Sequence, residues 1–575
     1  MEKGEGGLGR SMSIRTWLED FKPAPQPEKG GDLHVTTESP KFDDVERAVN
    51  SHGEDVNEDG TKRTLSARHI YFVSLAGGLG TGLFIGSGGK LSSGGPLSLL
   101  LGYGIVGVLV LSVFFALGEL AAIFPVTGAF STYATRFLDP AFGFAVGYNY
   151  WMQWITTLPL EFTAATILIQ FWDDANHTVT PGVWIAIFIV LMVCIHAFGA
   201  KGYGEFELAA GTIKLLMVTG FIIMAIVVDC GGAPNKEYIG ARYWHHPGPV
   251  QNKFKGFCTV FSAAAFAFQG TEIVGLAAAE AKDPHKIFPR VWKLVLLRIV
   301  AIYLVTLVLI GMVISPKDNR LVGGSDYDPH TSPFVLVAQI GQIRVLPHII
   351  NAVILLSALS VANGCVYGGS RSLLALAEQG YAPSFLGYVD RKGRPLPALL
   401  ATLVFSGLAF LVYKSSAGDV FNWLIGISGL STIFTYSVTC AAHIRFRAAW
   451  KQSGRSFNEL PYISPMGVWF SWVGLAMNLL VLAANFYVGA FPIDEATSSP
   501  QDRAETFFQT MLSLVIVLVF YLGYKLVMRS HFLRLDEVDL DSGRRMADGT
   551  EVPGEMSKIN TPYTSRPPSR YEVPM

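Results

Sequence analysis

From residue 68 to about 529, apolar stretches of about 20 residues alternate with short polar loops. Each stretch is long enough to cross a hydrocarbon core of ~30 Å. The pattern predicts about twelve crossings, and therefore an all-α membrane protein. Outside this zone the alternation stops. Residues 1–64 are rich in Gly, Asp, Glu, Lys, Pro and Ser, without apolar periodicity and without the apolar core of a cleaved signal; they read as a disordered tail. Residues 530–575, opening HFLRLDEVDLDSGRR, read as a second polar tail, only partly ordered. The expected division is thus an N-terminal tail over 1–64, a membrane domain over 65–529 and a C-terminal tail over 530–575.

Composition agrees with a membrane protein. Of 575 residues, 50% are apolar and only 15% charged, with a mean hydropathy of +0.38; soluble chains carry about 25% charged residues. The net charge of −1 points to no nucleic-acid partner. Lys and Arg gather after spans two (Arg136), four (Lys201), six (AKDPHKIFPRVWK), eight (DRKGRP) and ten (RFRAAWKQSGR), while the opposite loops are mostly acidic or neutral. The basic loops are expected to face the cytoplasm, which with an even number of spans places both tails there too. The Asn176-His177-Thr178 sequon then lies outside, either glycosylated or an unused chance match. The five scattered cysteines form neither a disulfide framework nor a zinc pattern, and no metal or cofactor is expected.

One apolar run contains a conflict. GGLGTGLF places Gly77, Gly78, Gly80 and Gly82 inside a crossing, where each weakens a helix by about 1 kcal/mol relative to Ala. One reading is a small-residue seam between packed helices. The other is a broken helix: irregular backbone at membrane depth survives where protein or a watery cavity satisfies it, and transporters bind substrate at such breaks. Freed amides attract a carboxylate and freed carbonyls an ammonium, and a zwitterionic amino acid presents both. A second interruption lies five spans later, where Gln269-Gly270-Thr271-Glu272 stands in mid-span. Glu272 is expensive in lipid unless paired or protonated, so it either receives hydrogen bonds from loosened backbone or carries a proton.

Several long stretches then resemble a known family. LSARHIYFVSLAGGLGTGLFIGSG, GELAAIFPVTGAFSTYATRFLDPAFGFAVGYNYW, FAFQGTEIVGLAAAEAKDPHKIFPR, LSVANGCVYGGSRSLLALAEQGYAP and HIRFRAAWKQSGRSFNELPY are similar to the fungal amino acid permeases of the amino acid-polyamine-organocation superfamily, most of all the general type. The resemblance spans about 65 to 545. It implies a leucine-transporter fold, two inverted five-helix repeats plus two extra helices, and proton symport. It further implies that Gly80, Thr81 and Gly82 hold the substrate's α-carboxylate and that the Gly78 carbonyl meets the α-ammonium. Phe266 would close over the ligand, with the carbonyls of Phe266 and Gln269 receiving the ammonium beside Gly270 and Thr271. Lys214, alone in span five, either snorkels to the surface or, by the resemblance, occupies a cation position of sodium-coupled cousins, with Ser357 and Ser360 as neighbours and Glu272 as a further proton-coupling candidate.

Other buried polar residues are open to plainer readings. Glu119 and Glu161 are expected to bond neighbouring helices. Asn363 and Tyr367 either face the pocket or pack. His196 and His443 are placed near the cytoplasmic surface, where they would titrate near pH 6.5. The expected activity is import of amino acids of broad range, with protons, across the plasma membrane by alternating access. The alternative is a sensing receptor that binds without transport. No catalytic constellation appears, so no enzyme is expected. The tail lysines Lys22, Lys29, Lys41 and Lys62 are candidate acceptors of ubiquitin.

Overall fold

The computed structural model describes residues 61–544 except 63, 127, 173–178, 278–279, 282–283, 323–331, 414–416 and 494–498. Lys22, Lys29, Lys41, the Asn176 sequon and the chain from 545 onward lie outside the described residues. The protein is an all-α, multi-span membrane protein, and no strand occurs among the described residues.

Among the described residues, seven helices are long and apolar enough to cross a bilayer: Pro96–Ile123 (span two), Gly199–Asp229 (five), Lys253–Ala277 (six), Arg290–Val313 (seven), Leu346–Glu378 (eight), Gly467–Ala490 (eleven) and Pro500–Met528 (twelve). A bent pair, Ala67–Phe84 and Gly86–Gly94, forms span one, and two shorter apolar helices, Pro181–His196 and Leu396–Leu411, form spans four and nine. Pro140–Gln170, of 31 residues, and Ala417–Gln452, of 36 residues, complete the series as spans three and ten. Proline stands in the first turn of spans two, three, four and eight, where its missing N–H has no partner to lose. The Asp139 carboxylate caps span three by accepting from the Ala141 amide at 2.9 Å.

Some boundaries differ from the sequence expectation. The basic stretch after span six is helical from Pro284, not a loop, and span five starts at Gly199, ahead of the FELAAGTIK stretch. Lys214 is therefore about 22 Å along its helix, at 1.5 Å per residue. It does not snorkel: its side chain is fully buried. His196 and His443 are corrected in the same way. Both are buried: His196 meets the Asn363 carbonyl at 3.3 Å and His443 lies 3.2 Å from Glu119. Glu119 also pairs with Arg447 and accepts the Ser464 amide at 2.8 Å, so it does bind neighbouring elements.

Burial shows where the centre lies. Span six is 94% buried in its most apolar window, against 22% for span eleven and 17% for span twelve, so the first lies at the core and the others at the lipid rim. Spans one and six run side by side in opposite directions. The Leu65 amide donates to the Glu280 carbonyl at 3.1 Å and the Gln251 amide to the Gly94 carbonyl at 2.9 Å, while Gly82 packs on Ala267 between them.

Candidate functional site

Both central helices are interrupted at the same depth. Span one widens into a π-helical turn at Val73–Gly77 and leaves the helix at Gly78. It passes through extended Gly80 (φ −140°, ψ −162°) and restarts at Thr81. The chain then bends by 57° beyond Phe84, a second deflection that glycine content alone did not locate. In span six the first half ends at Phe268, Gln269 is extended (φ −54°, ψ 147°), and the helix resumes at Ile273. Gly270 sits at φ +87°, a left-handed conformation that side chains with a Cβ rarely adopt.

Between the breaks lies a hollow of about 360 Å³ of space between atoms, its walls including Gly78, Gly80, Gly82, Phe266, Gln269 and Gly270. The glycines are there because the walls are close. A Cβ on Gly80 would come within 2.6 Å of Val361, and one on Gly82 within 2.8 Å of the Phe266 ring. The first amides of the restarted helix have no carbonyl one turn back within their own helix.

Three residues on the wall from span three, Trp154, Thr157 and Glu161, were not foreseen as lining it. Glu161 accepts a hydrogen bond from the Thr81 hydroxyl at 2.8 Å, so this hydroxyl is engaged by a carboxylate rather than left free for a ligand. Thr157 accepts from the Gln269 side-chain amide at 3.0 Å. The remaining oxygens, Glu161 Oε2 and Gln269 Oε1, are buried without a hydrogen-bond partner. Two acceptors on the lining of one hollow favour a cationic donor between them, since an unpaired buried polar group is costly. The Phe266 carbonyl, by contrast, already accepts the Gln269 amide at 3.1 Å. Thr271 does not line the hollow; its hydroxyl turns back to the Phe268 carbonyl at 2.5 Å.

The proposed coupling residues fall in two groups outside the hollow. Behind span one, Lys214 donates to the Ser360 hydroxyl at 2.7 Å and to the Ala76 carbonyl at 3.2 Å. Ser360 donates in turn to Glu207 at 2.8 Å, which also accepts from Asn363 at 3.0 Å. Ser357 donates to the Leu79 carbonyl in the break itself. Behind span six, Glu272 accepts from Tyr436 at 2.9 Å and Gln153 at 3.3 Å. Asn363 and Tyr367 pack away from the hollow, Tyr367 stacked on Tyr203 with centroids 4.1 Å apart.

Glu207 and Arg298 escaped the sequence reading, yet both carried a signal. Glu207 precedes Lys214 by seven residues, two helical turns, on one face of the same apolar span. Arg298 is a charge inside KLVLLRIVAIYLVTLVLIGMV, and charges within spans are functional candidates by default. Among the described residues, no group of His, Cys, Asp and Glu has the arrangement of a metal site.

Comparison with known proteins adds a family. Residues 69–537 match the amino acid permease family. An uncharacterised amino-acid permease of Schizosaccharomyces pombe is 48% identical over 85% of this chain and 83% of its own. The general amino-acid permease of Saccharomyces cerevisiae is 43% identical over 88% of this chain and 84% of its own. The cationic amino acid transporter 1 of S. pombe is 44% identical over 84% and 82%.

Proposed function

Since the chain belongs to the amino acid permease family, we propose that it imports amino acids of broad side-chain range by proton symport, through alternating access around the hollow between spans one and six. The observation that carries this reading is the pair of opposed breaks, with main-chain groups and two unpartnered acceptors around one small hollow. An α-ammonium placed between Glu161 Oε2 and the Gly78 carbonyl supplies the donor that Glu161 lacks, while the amides at Gly80–Gly82 face the carboxylate. Most of these contacts read the head group, which every amino acid shares. Gln269 and Thr157 lie on the wall left for the side chain.

Coupling is assigned to the Lys214–Ser360–Glu207 chain and to Glu272, with Ser357 beside the break. A lysine touching the turn of span one through Ala76 links its charge state to the position of that turn. The two inverted five-span repeats, a plasma-membrane location and tails on the cytoplasmic side complete the proposal. The antiparallel pairing of spans one and six supports the repeats, and the placement of basic loops supports the orientation.

The test is uptake of a panel of labelled amino acids into vesicles containing the purified protein, with and without an imposed proton gradient. Accumulation of several unlike amino acids only when the gradient is present is expected. Uptake indifferent to the gradient removes symport, and binding without any flux removes transport.

A further inference from the structure

Arg298 is fully buried in the middle of the molecule, outside the lining of the hollow. It stands at the start of a π-helical turn, Arg298–Leu304, in span seven. Pairing of residues five apart in such a turn brings the guanidinium to Tyr303, and Arg298 Nη2 donates to the Tyr303 hydroxyl at 2.9 Å. Tyr303 passes the contact on, donating to the Ala267 carbonyl at 2.6 Å, one residue before the first half of span six ends. On the other side Arg298 Nη1 donates to the Ser74 carbonyl at 3.3 Å, inside the π-helical turn of span one. Gly78 is pressed against the same group: a Cβ there would lie 2.5 Å from Arg298 Nη2 and 2.4 Å from the Gln269 carbonyl. One planar cation therefore bonds span one directly and span six through Tyr303, from behind the hollow.

Lys214 grips the same turn of span one from span five, through Ala76. The two cations differ in chemistry. A guanidinium stays charged and offers a rigid fork of donors, whereas a lysine ammonium is a point donor whose charge responds to burial. Arginine suits the member that must hold a carbonyl and a hydroxyl at one spacing.

We propose that Arg298 is a positioning residue for substrate binding: its guanidinium, with Tyr303 as relay, sets the spacing between the unwound segments of spans one and six, on which recognition of the amino acid head group depends. The inference rests on the amino acid transport reading above. Because it concerns the head group, every substrate is affected alike.

The test uses full-length protein in liposomes, with binding and uptake of labelled glycine, leucine, glutamine and arginine measured per molecule of folded protein. Two variants are compared with the unmodified chain. In Arg298→Lys a single ammonium replaces the fork; in Tyr303→Phe only the relay to Ala267 is cut. Loss of a hydrogen bond to a charged group predicts that Kd rises roughly tenfold for each bound amino acid with their order unchanged, while the maximal rate per molecule stays within about twofold. A native Kd in folded Arg298→Lys overturns the proposal, including the case where the only change is a smaller yield of protein. So does a change confined to some side chains. If Arg298→Lys is not recovered folded, Tyr303→Phe decides by the same criterion. If the unmodified chain binds no amino acid, the transport reading itself fails, and this inference with it.

Discussion

At the scale of single residues, the site depends on what is missing from them. Gly78 has no room for a methyl group between the Gln269 carbonyl and Arg298, so Gly78→Ala forces the two breaks apart. Uptake is expected to fall more than tenfold with protein still reaching the membrane, measured as initial rate per surface molecule, because small misplacements at a site lose large factors. Thr81→Val leaves Glu161 Oε1 without its donor, and affinity for all amino acids is expected to weaken together, by roughly tenfold. Changes at Gln269 should instead reorder the substrates, since this side chain and its partner Thr157 are on the wall. A competition panel distinguishes the two patterns. Lys214→Met takes the cation from the chain that ends at Glu207. Removing one partner of a buried charged pair costs about 3–5 kcal/mol, less here because Ser360 intervenes. Adding Glu207→Gln is expected to recover at least about 1 kcal/mol in thermal unfolding of the purified protein, the sign of an energetic link between them.

At the scale of elements, the breaks were legible because a helix in lipid tolerates few glycines and fewer carboxylates. Gly78, Gly80, Gln269 and Gly270 leave regular helix where their types suggested it. The bend beyond Phe84 and the π-helical turns were not legible, since FIG and RIVAIYL are ordinary helical text and packing alone selects the deviation. The same holds for the segment after span twelve, whose polar residues read as a tail. Residues 530–544 lie across the ends of other elements: the Leu533 amide donates to the Leu138 carbonyl at 2.9 Å, and buried Arg136 donates to the Asp539 carbonyl at 2.6 Å and the Ser542 carbonyl at 2.8 Å. Arg455 holds Asp541 through two bonds of 2.8 and 2.7 Å. Arg136→Ala should free this segment, seen as faster proteolysis between 533 and 541. Hydrogen bonding to Arg455 lowers the Asp541 carboxyl below its ordinary value. That contribution is complete above the ordinary carboxyl pKa of about 3.9 and disappears as pH falls through the lowered value. Proteolysis of the segment is therefore expected to be flat from about pH 5 to 8 and to rise only below about pH 4.

At the scale of the whole molecule, a hollow walled by spans one, three, six and eight is useful only if the molecule exposes it to each side in turn. A membrane potential of 100 mV contributes about 2.3 kcal/mol per charge moved. One proton carried with each neutral amino acid therefore predicts about a fiftyfold accumulation in vesicles, abolished by a proton ionophore. An accumulation ratio that ignores the ionophore counts against coupling.

What the chain alone determined was the class: apolar length dictates helices, lipid dictates that their backbones close on themselves, and glycines and buried polar side chains mark where that closure fails. What only the folded molecule decided was who meets whom. Arg298 reaches the broken helices, Glu161 takes the Thr81 hydroxyl, and Lys214 finds Glu207 through Ser360. These contacts join residues up to 224 positions apart, and the spacing of residues along one helix says nothing about the rotation and depth at which it meets another.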